Sequence, residues 1–259
     1  KKLINTVFPF EYNDIENFYK ICKKNNIGVV KMEVYRNFPP KNNFLEKIRK
    51  FCNKNNIVLI FDECTSGFRE TFGGLHLKYG VTPDICILGK ALGNGYPITA
   101  VLGKREIMQN AQSTFISSTF WTDRIGYVAA IKTIDEMYKT RSWKKLCQKG
   151  KYIKKQWSRL LKKNHLKFKI FGLDALPGFT IKSENWLKYK SYITFKMLEN
   201  SILASNVIYL STSHEKKIID RYLRLLDRIL IDINNFENNK NTNFLDNIPE
   251  SHNGFKRLN

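Results

Sequence analysis

Two stretches, IVLIFDE (57–63) and DICILGKALGNG (84–95), decide the fold. Each contains a short, continuous apolar run, the composition of a strand covered on both faces of a parallel sheet. Upstream, IGVVKME (27–33) reads as a further buried strand. Between 27–33 and 57–61, NNFLEKIRKFCNKN (42–55) carries Phe44, Leu45, Ile48, Phe51 and Cys52 on one helical face. Strand, helix, strand in that order predicts a βαβ unit with a right-handed crossover. PITAVLG (97–103) follows the 84–89 strand too closely for a helical crossover, so it is predicted to run antiparallel. NDIENFYKICKKNN (13–26) adds an amphipathic helix with Asn13 or Asp14 as cap. The fold class is α/β, with a mostly parallel sheet.

From about residue 126 the pattern changes. GYVAAIKTIDEMY (126–138) and a long basic helix near 143–163 lead to predicted strands at 166–171 and 178–182. A helix near 191–204, a strand at 207–210 and a helix at 215–233 complete a smaller α/β lobe. Residues 234–247 (NNFENNKNTNFLDN) are polar and Asn-rich and are expected to form a mobile linker. The expected organisation is a large-domain portion over 1–140, a small domain over 141–233, and a linker and tail over 234–259.

The 259 residues are 42% apolar and 13% aromatic. That is enough to build a core and excludes a wholly disordered chain. No apolar run approaches the ~18–20 residues of a membrane helix, so no membrane partner is expected. Five cysteines without C-x-x-C spacing and four isolated histidines argue against a disulfide framework or a zinc site. A reducing, cytoplasmic location is the matching expectation. The charge is +21, from 44 basic and 23 acidic residues. Its lysines lie in scattered pairs such as Lys144-Lys145 and Lys162-Lys163, each within a helical pattern. This is the distribution of solvated helix faces, and it predicts no nucleic-acid partner.

In doubly wound sheets, functional groups gather beyond the carboxyl ends of strands. One such end here carries Asp62-Glu63, and the next carries Lys90 among Gly89, Gly93 and Gly95. A lysine after a strand is often only a solvated surface residue, and an aspartate there is often a loop carboxylate or cap. The strands before these two are too apolar for a casual surface edge. A partly buried lysine amine can form a Schiff base with an aldehyde. A carboxylate close by can keep a pyridine nitrogen protonated and so make the ring an electron sink. That pair of groups is what pyridoxal phosphate chemistry requires.

LIFDECTSGFRETFGG (59–74), YGVTPDICILGKALGNGYPITAVLGK (79–104) and SSTFWTDRIGYVAA (117–130) resemble class III pyridoxal-phosphate aminotransferases. Within that class they are most similar to the glutamate-1-semialdehyde 2,1-aminomutase-like branch. YLSTSHEKKIIDRYLRLLD (209–227) and HNGFKRLN (252–259) extend the likeness over nearly the whole chain. The resemblance implies a fold type I transferase, a small amino or carbonyl substrate, and a homodimer with a shared active site. It implies that Lys90 forms the Schiff base and shuttles a proton, and that Asp62 pairs with the pyridinium nitrogen. Cys64 would pack on one ring face, and Thr119 would bind the cofactor phosphate across the dimer interface. Glu33 matches the family's Glu-Pro strand end, with Val34 in place of the proline. Phe120-Trp121-Thr122-Asp123-Arg124 departs from the family pattern, so the aminomutase substrate is not assumed.

The resemblance also implies a part upstream of Lys1, holding the phosphate turn, a ring-stacking aromatic and further sheet strands. Orientation of a bound reactant can contribute roughly 7–11 kcal/mol in favourable systems. The expectation is that these 259 residues alone do not transaminate at a useful rate. Two alternatives stay open: an intramolecular aminomutase, and a cofactor-free interaction protein that keeps the fold.

Overall fold

The computed structural model describes residues 6–35, 37–117, 122–239 and 247–252. The chain divides between Trp143 and Lys144 into two units.

The N-terminal unit opens with α1 (Ile15–Lys24), which Asp14 caps by accepting the Asn17 N–H at 2.9 Å. β1 (Val29–Met32) leads to α2 (Phe44–Lys54), which buries Phe44, Leu45, Ile48 and Cys52. The spacing of these four is that of one helical face. β2 (Val58–Glu63), β3 (Ile85–Leu88) and β4 (Ala100–Gly103) complete a four-stranded sheet of order β1-β2-β3-β4. β1, β2 and β3 pair in parallel, and β4 lies antiparallel to β3 with Leu88 opposite Ala100. The short β3–β4 link forces that reversal.

Asp84 fastens the start of β3. Its carboxylate accepts the Leu59 N–H at 2.8 Å and pairs with Arg49 at 2.8 Å and Lys104 at 2.7 Å. A short helix, α3 (Arg105–Met108), and α4 (Arg124–Thr140) follow. Phe68, Cys86, Leu88, Leu92, Ala130 and Met137 pack as one apolar cluster.

The C-terminal unit is built on α5 (Ser142–Lys163), whose first turn contains the division between the units. β5 (Phe168–Phe171) and β6 (Gly178–Ile181) form an antiparallel pair. α6 (Trp186–Glu199) and α7 (Lys216–Asn239) enclose them. Trp157 is fully buried against Phe179, with ring centroids 4.9 Å apart, and its indole N–H donates to the Tyr222 hydroxyl at 3.1 Å. At Gly150 on α5 any Cβ would lie 1.7 Å from the Asp174 carbonyl oxygen, so only glycine allows that approach.

Three expectations are corrected here. The linker does not begin at 234: α7 runs on through Asn239, because its apolar period continues beneath an Asn-rich surface. Ile233 is buried, Phe236 packs on Tyr192, and Glu237 accepts hydrogen bonds from Tyr189 and Ser183 at 2.6 Å each. The helix expected at 191–204 begins five residues earlier, at Trp186, following Asn185, and is over at Glu199, with Ser201 in the left-handed region. Residues 207–210 make a single bridge, Val207 to Gly178, instead of a strand.

Candidate active site

Successive residues of a strand point to opposite faces, so the Asp62-Glu63 doublet at the end of β2 is split. Glu63 is completely buried. Its carboxylate accepts the Ser66 hydroxyl at 3.1 Å, the His76 N–H at 3.1 Å and the Leu75 N–H, and lies 2.6 Å from His76 Nδ1. Cys86 Sγ is 3.9 Å away. Glu63, His76 and Cys86 are residue types that bind metals, and one ligand atom of each lies within 4.8 Å of the others. The Ser66 hydroxyl and the Leu75 and His76 N–H groups all donate to this carboxylate. Burial, with Glu63 adding to it, pushes the Cys86 thiol up to about 12. The cluster is a hydrogen-bond hub that pins the 66–76 turn beneath β2.

Asp62 faces the other way. One oxygen pairs with Lys31 Nζ at 2.8 Å, and the other accepts the Cys64 N–H at 3.2 Å. Burial raises this carboxyl, but the Lys31 and Cys64 hydrogen bonds outweigh it and hold the group below its ordinary range.

Lys90 follows β3 immediately. Its backbone sits in the left-handed region at φ 46°, which is uncommon for a residue with a side chain. The Lys90 amine donates to the Thr65 hydroxyl at 2.7 Å. Cys64 follows Asp62 by two residues, and its thiol feels both the Asp62 carboxylate and the Lys90 amine. Burial pushes its thiol up, the Asp62 carboxylate adds to that, and Lys90 and Lys31 oppose it. The thiol therefore stays protonated and behaves as a small apolar group. A Cβ on Gly89 would stand 3.3 Å from Cys64 Sγ and 3.2 Å from Thr99, tighter than ordinary packing.

Asp62, Cys64 and Lys90 are thus brought to one edge of the sheet, where β2 and β3 end. Thr119 lies outside the described residues. Sequence reasoning missed Lys31, Thr65 and the Glu63–His76 hub. Lys31 did leave a sign, as the one charged residue in the apolar run VVKM. An apolar cavity of about 190 Å³ in the C-terminal unit, lined by Ile202, Val207, Tyr209 and Ile218 among others, offers no acid–amine pair.

An amine, a carboxylate and a neutral sulfur gathered at one sheet edge suit a flat pyridine ring with an aldehyde on one side and a basic nitrogen on the other. Comparison with known proteins points the same way. The family description "Aminotransferase class-III" matches residues 37–214. The 3-aminobutyryl-CoA aminotransferase of Cloacimonas acidaminovorans is 34% identical over 74% of this chain and 49% of its own length. A glutamate-1-semialdehyde 2,1-aminomutase of Saccharolobus islandicus is 28% identical over 88% of this chain and 58% of its own. Among solved structures, the PLP internal aldimine form of the FumI protein of Sphingopyxis sp. MTA144 superposes with a TM-score of 0.83 at 22% identity. That match covers 90% of this chain and 59% of the other, and it establishes the type I fold. The chain spans about half the length of the curated relatives it matches. Among the described residues, no helix is long and apolar enough to cross a membrane.

Proposed function

The chain belongs to the class-III aminotransferase family, and from that premise we propose that the full-length protein moves an amino group to or from a carbonyl carbon using pyridoxal phosphate. The observation that carries this reading is the convergence of Asp62, Cys64 and Lys90 where β2 and β3 end. When bound, pyridoxal phosphate supplies an aldehyde that captures amines and a ring that accepts electrons. The chain's own groups do the rest. Lys90 would hold the cofactor's aldehyde carbon through its amine, and its amine would then move the proton at the substrate carbon. Thr65, 2.7 Å from that amine, fixes where it rests. Asp62 stays anionic and holds the proton on the ring nitrogen. Cys64 presents an uncharged face to the ring, and Thr119 takes the phosphate.

A homodimer is part of the same reading. Ile125, Val128 and Ile131 on α4 and Phe115 ahead of it are all more than half exposed, which supports a covered apolar surface in the assembly. The similarity to an aminomutase favours a second version, in which the amine returns to an adjacent carbon of the same molecule.

The experiment is reduction of the full-length protein by borohydride in the presence of pyridoxal phosphate, followed by mass spectrometry. The expected result is a trapped adduct on the Lys90 peptide. An unmodified Lys90 would refute the assignment. Turnover that requires an added amino donor separates the aminotransferase from the aminomutase.

A further inference from the structure

We infer that Lys31 is a positioning residue for Asp62: it holds that carboxylate as an anion, and so weakens its grip on a proton at the cofactor's ring nitrogen. The inference deepens the reading above and rests on it for its consequence, though not for its first half.

The strand register makes the contact. Lys31 of β1 stands beside Ile60 of β2, and Asp62 is two residues further along β2, on the same face as Ile60. β1 alternates exposed and buried side chains, with Val29 and Lys31 on the exposed face and Val30 and Met32 in the core. From there the lysine stem reaches diagonally toward the strand ends and brings its ammonium 2.8 Å from Asp62 Oδ2. The side chains are 57% and 27% exposed, so water screens the pair on one side. The second oxygen of Asp62 is held by the Cys64 N–H at 3.2 Å. The carboxylate is thus held from two directions before any cofactor meets it.

The charged and titratable groups around this point come from all three parallel strands. Lys31 and Glu33 belong to β1 and the residue just past it, Asp62 and Cys64 to β2 and its end, and Lys90 to the end of β3. Lys31 is the cation bonded to Asp62, whereas the Lys90 amine is bonded to Thr65. A pyridinium N–H approaching Asp62 meets a carboxylate already shared with an ammonium. Its proton is held less tightly than it would be by an unshared carboxylate, because the ammonium both lowers the basicity of the acceptor and repels the incoming cation.

The test uses full-length protein labelled with ¹³C-aspartate. In the cofactor-free form, the Asp62 carboxyl is titrated by NMR in the natural protein and in Lys31→Met and Lys31→Arg. Lys31→Met, which keeps the stem, is expected to raise the Asp62 midpoint by about one pH unit, the low end of what an adjacent opposite charge produces. Lys31→Arg is expected to restore it. An unchanged midpoint in Lys31→Met overturns the inference. With ¹⁵N-ring-labelled pyridoxal phosphate added, the ring nitrogen is expected to keep its proton to higher pH in Lys31→Met. An unchanged ring titration, with the adduct on Lys90 intact, overturns the second half while sparing the proposed function. An absent adduct refutes the proposed function, and the cofactor-free titration still decides Lys31.

Discussion

The sheet of the C-terminal unit is closed in by its own helices, while that of the N-terminal unit carries exposed apolar residues on β4. Around β5 and β6, residues from α5, α6 and α7 bury Trp157, Phe179, Tyr189 and Ile193 almost completely. In the N-terminal unit, consecutive residues Val101 and Leu102 of β4 are both about half exposed, and α4 presents Ile125, Val128 and Ile131 to solvent. A strand with both neighbouring side chains exposed is an uncovered one. The C-terminal unit pairs lysines with aspartates as ion pairs at its helices, such as Lys154 with Asp174 at 3.0 Å and Lys163 with Asp227 at 2.6 Å. The N-terminal unit carries the candidate site residues Asp62, Cys64 and Lys90. The difference suggests mutations that test the proposed chemistry in the N-terminal unit and the packing of the C-terminal unit separately.

The largest effect should come from Lys90→Ala in the full-length protein. Steady-state turnover is expected to fall by on the order of 10²–10⁴-fold or more, the contribution of a positioned proton-transfer group. Undiminished turnover would remove the chemistry from the N-terminal sheet edge and break the contrast. Trp157→Ala should show the opposite character. A loss of about 3–5 kcal/mol is expected in urea unfolding, as for other buried large aromatics. A loss below about 1 kcal/mol would mean that the C-terminal core is less closed than its burial implies.

Glu63→Ala sharpens the contrast from within the N-terminal unit, since its donors at Ser66, Leu75 and His76 lose their acceptor. A stability loss of about 3 kcal/mol is expected from buried donors left unpaired, measured by denaturant midpoint. A neutral outcome would remove the hub from the account of how the turn is held.

Acid should act on the N-terminal unit through Asp84. Burial raises this carboxyl, but the Leu59 N–H, Lys104 and Arg49 together hold it below the ordinary carboxylate range. A group with a lowered folded value stabilises the protein above its unfolded value, about 3.9. That contribution is lost as the pH falls through the lower, folded value. The stability gap between natural protein and Asp84→Asn should therefore be wide at neutral pH and narrow as the pH drops below about 4. A gap independent of pH would contradict this.

The smallest effect on stability is expected from Val128→Glu on α4, within about 0.5 kcal/mol for an exposed position. The same change should shift the full-length protein from dimer toward monomer in analytical ultracentrifugation. An undisturbed dimer would free the α4 face from the assembly proposed for it.

Much of this was legible in the sequence because the relevant patterns are local. The apolar runs at 57–61 and 84–89 and the short link to 97–103 led directly to three of the sheet's strands and to the antiparallel turn of β4. Lys90 and Asp62 were readable because each directly follows, or closes, such a run. The end of α7 was readable too, through the spacing of Ile229, Ile233 and Phe236, but the Asn-rich surface of 234–239 hid it. Lys31 was visible as an anomaly, yet its partner was not, because β1 and β2 are brought side by side only by the crossover through α2.

By itself, then, the amino-acid order determined the strands and helices of the N-terminal sheet, the family and the pair of strand ends at which an amine and an acid emerge. Those features depend on periodicity and on residues adjacent along the chain. Only the tertiary structure decided which carboxylate of the Asp62-Glu63 doublet is sealed against His76 and which is offered to Lys31. Alternation along a strand fixes that the two point oppositely, but the packing on each face determines which one loses its water.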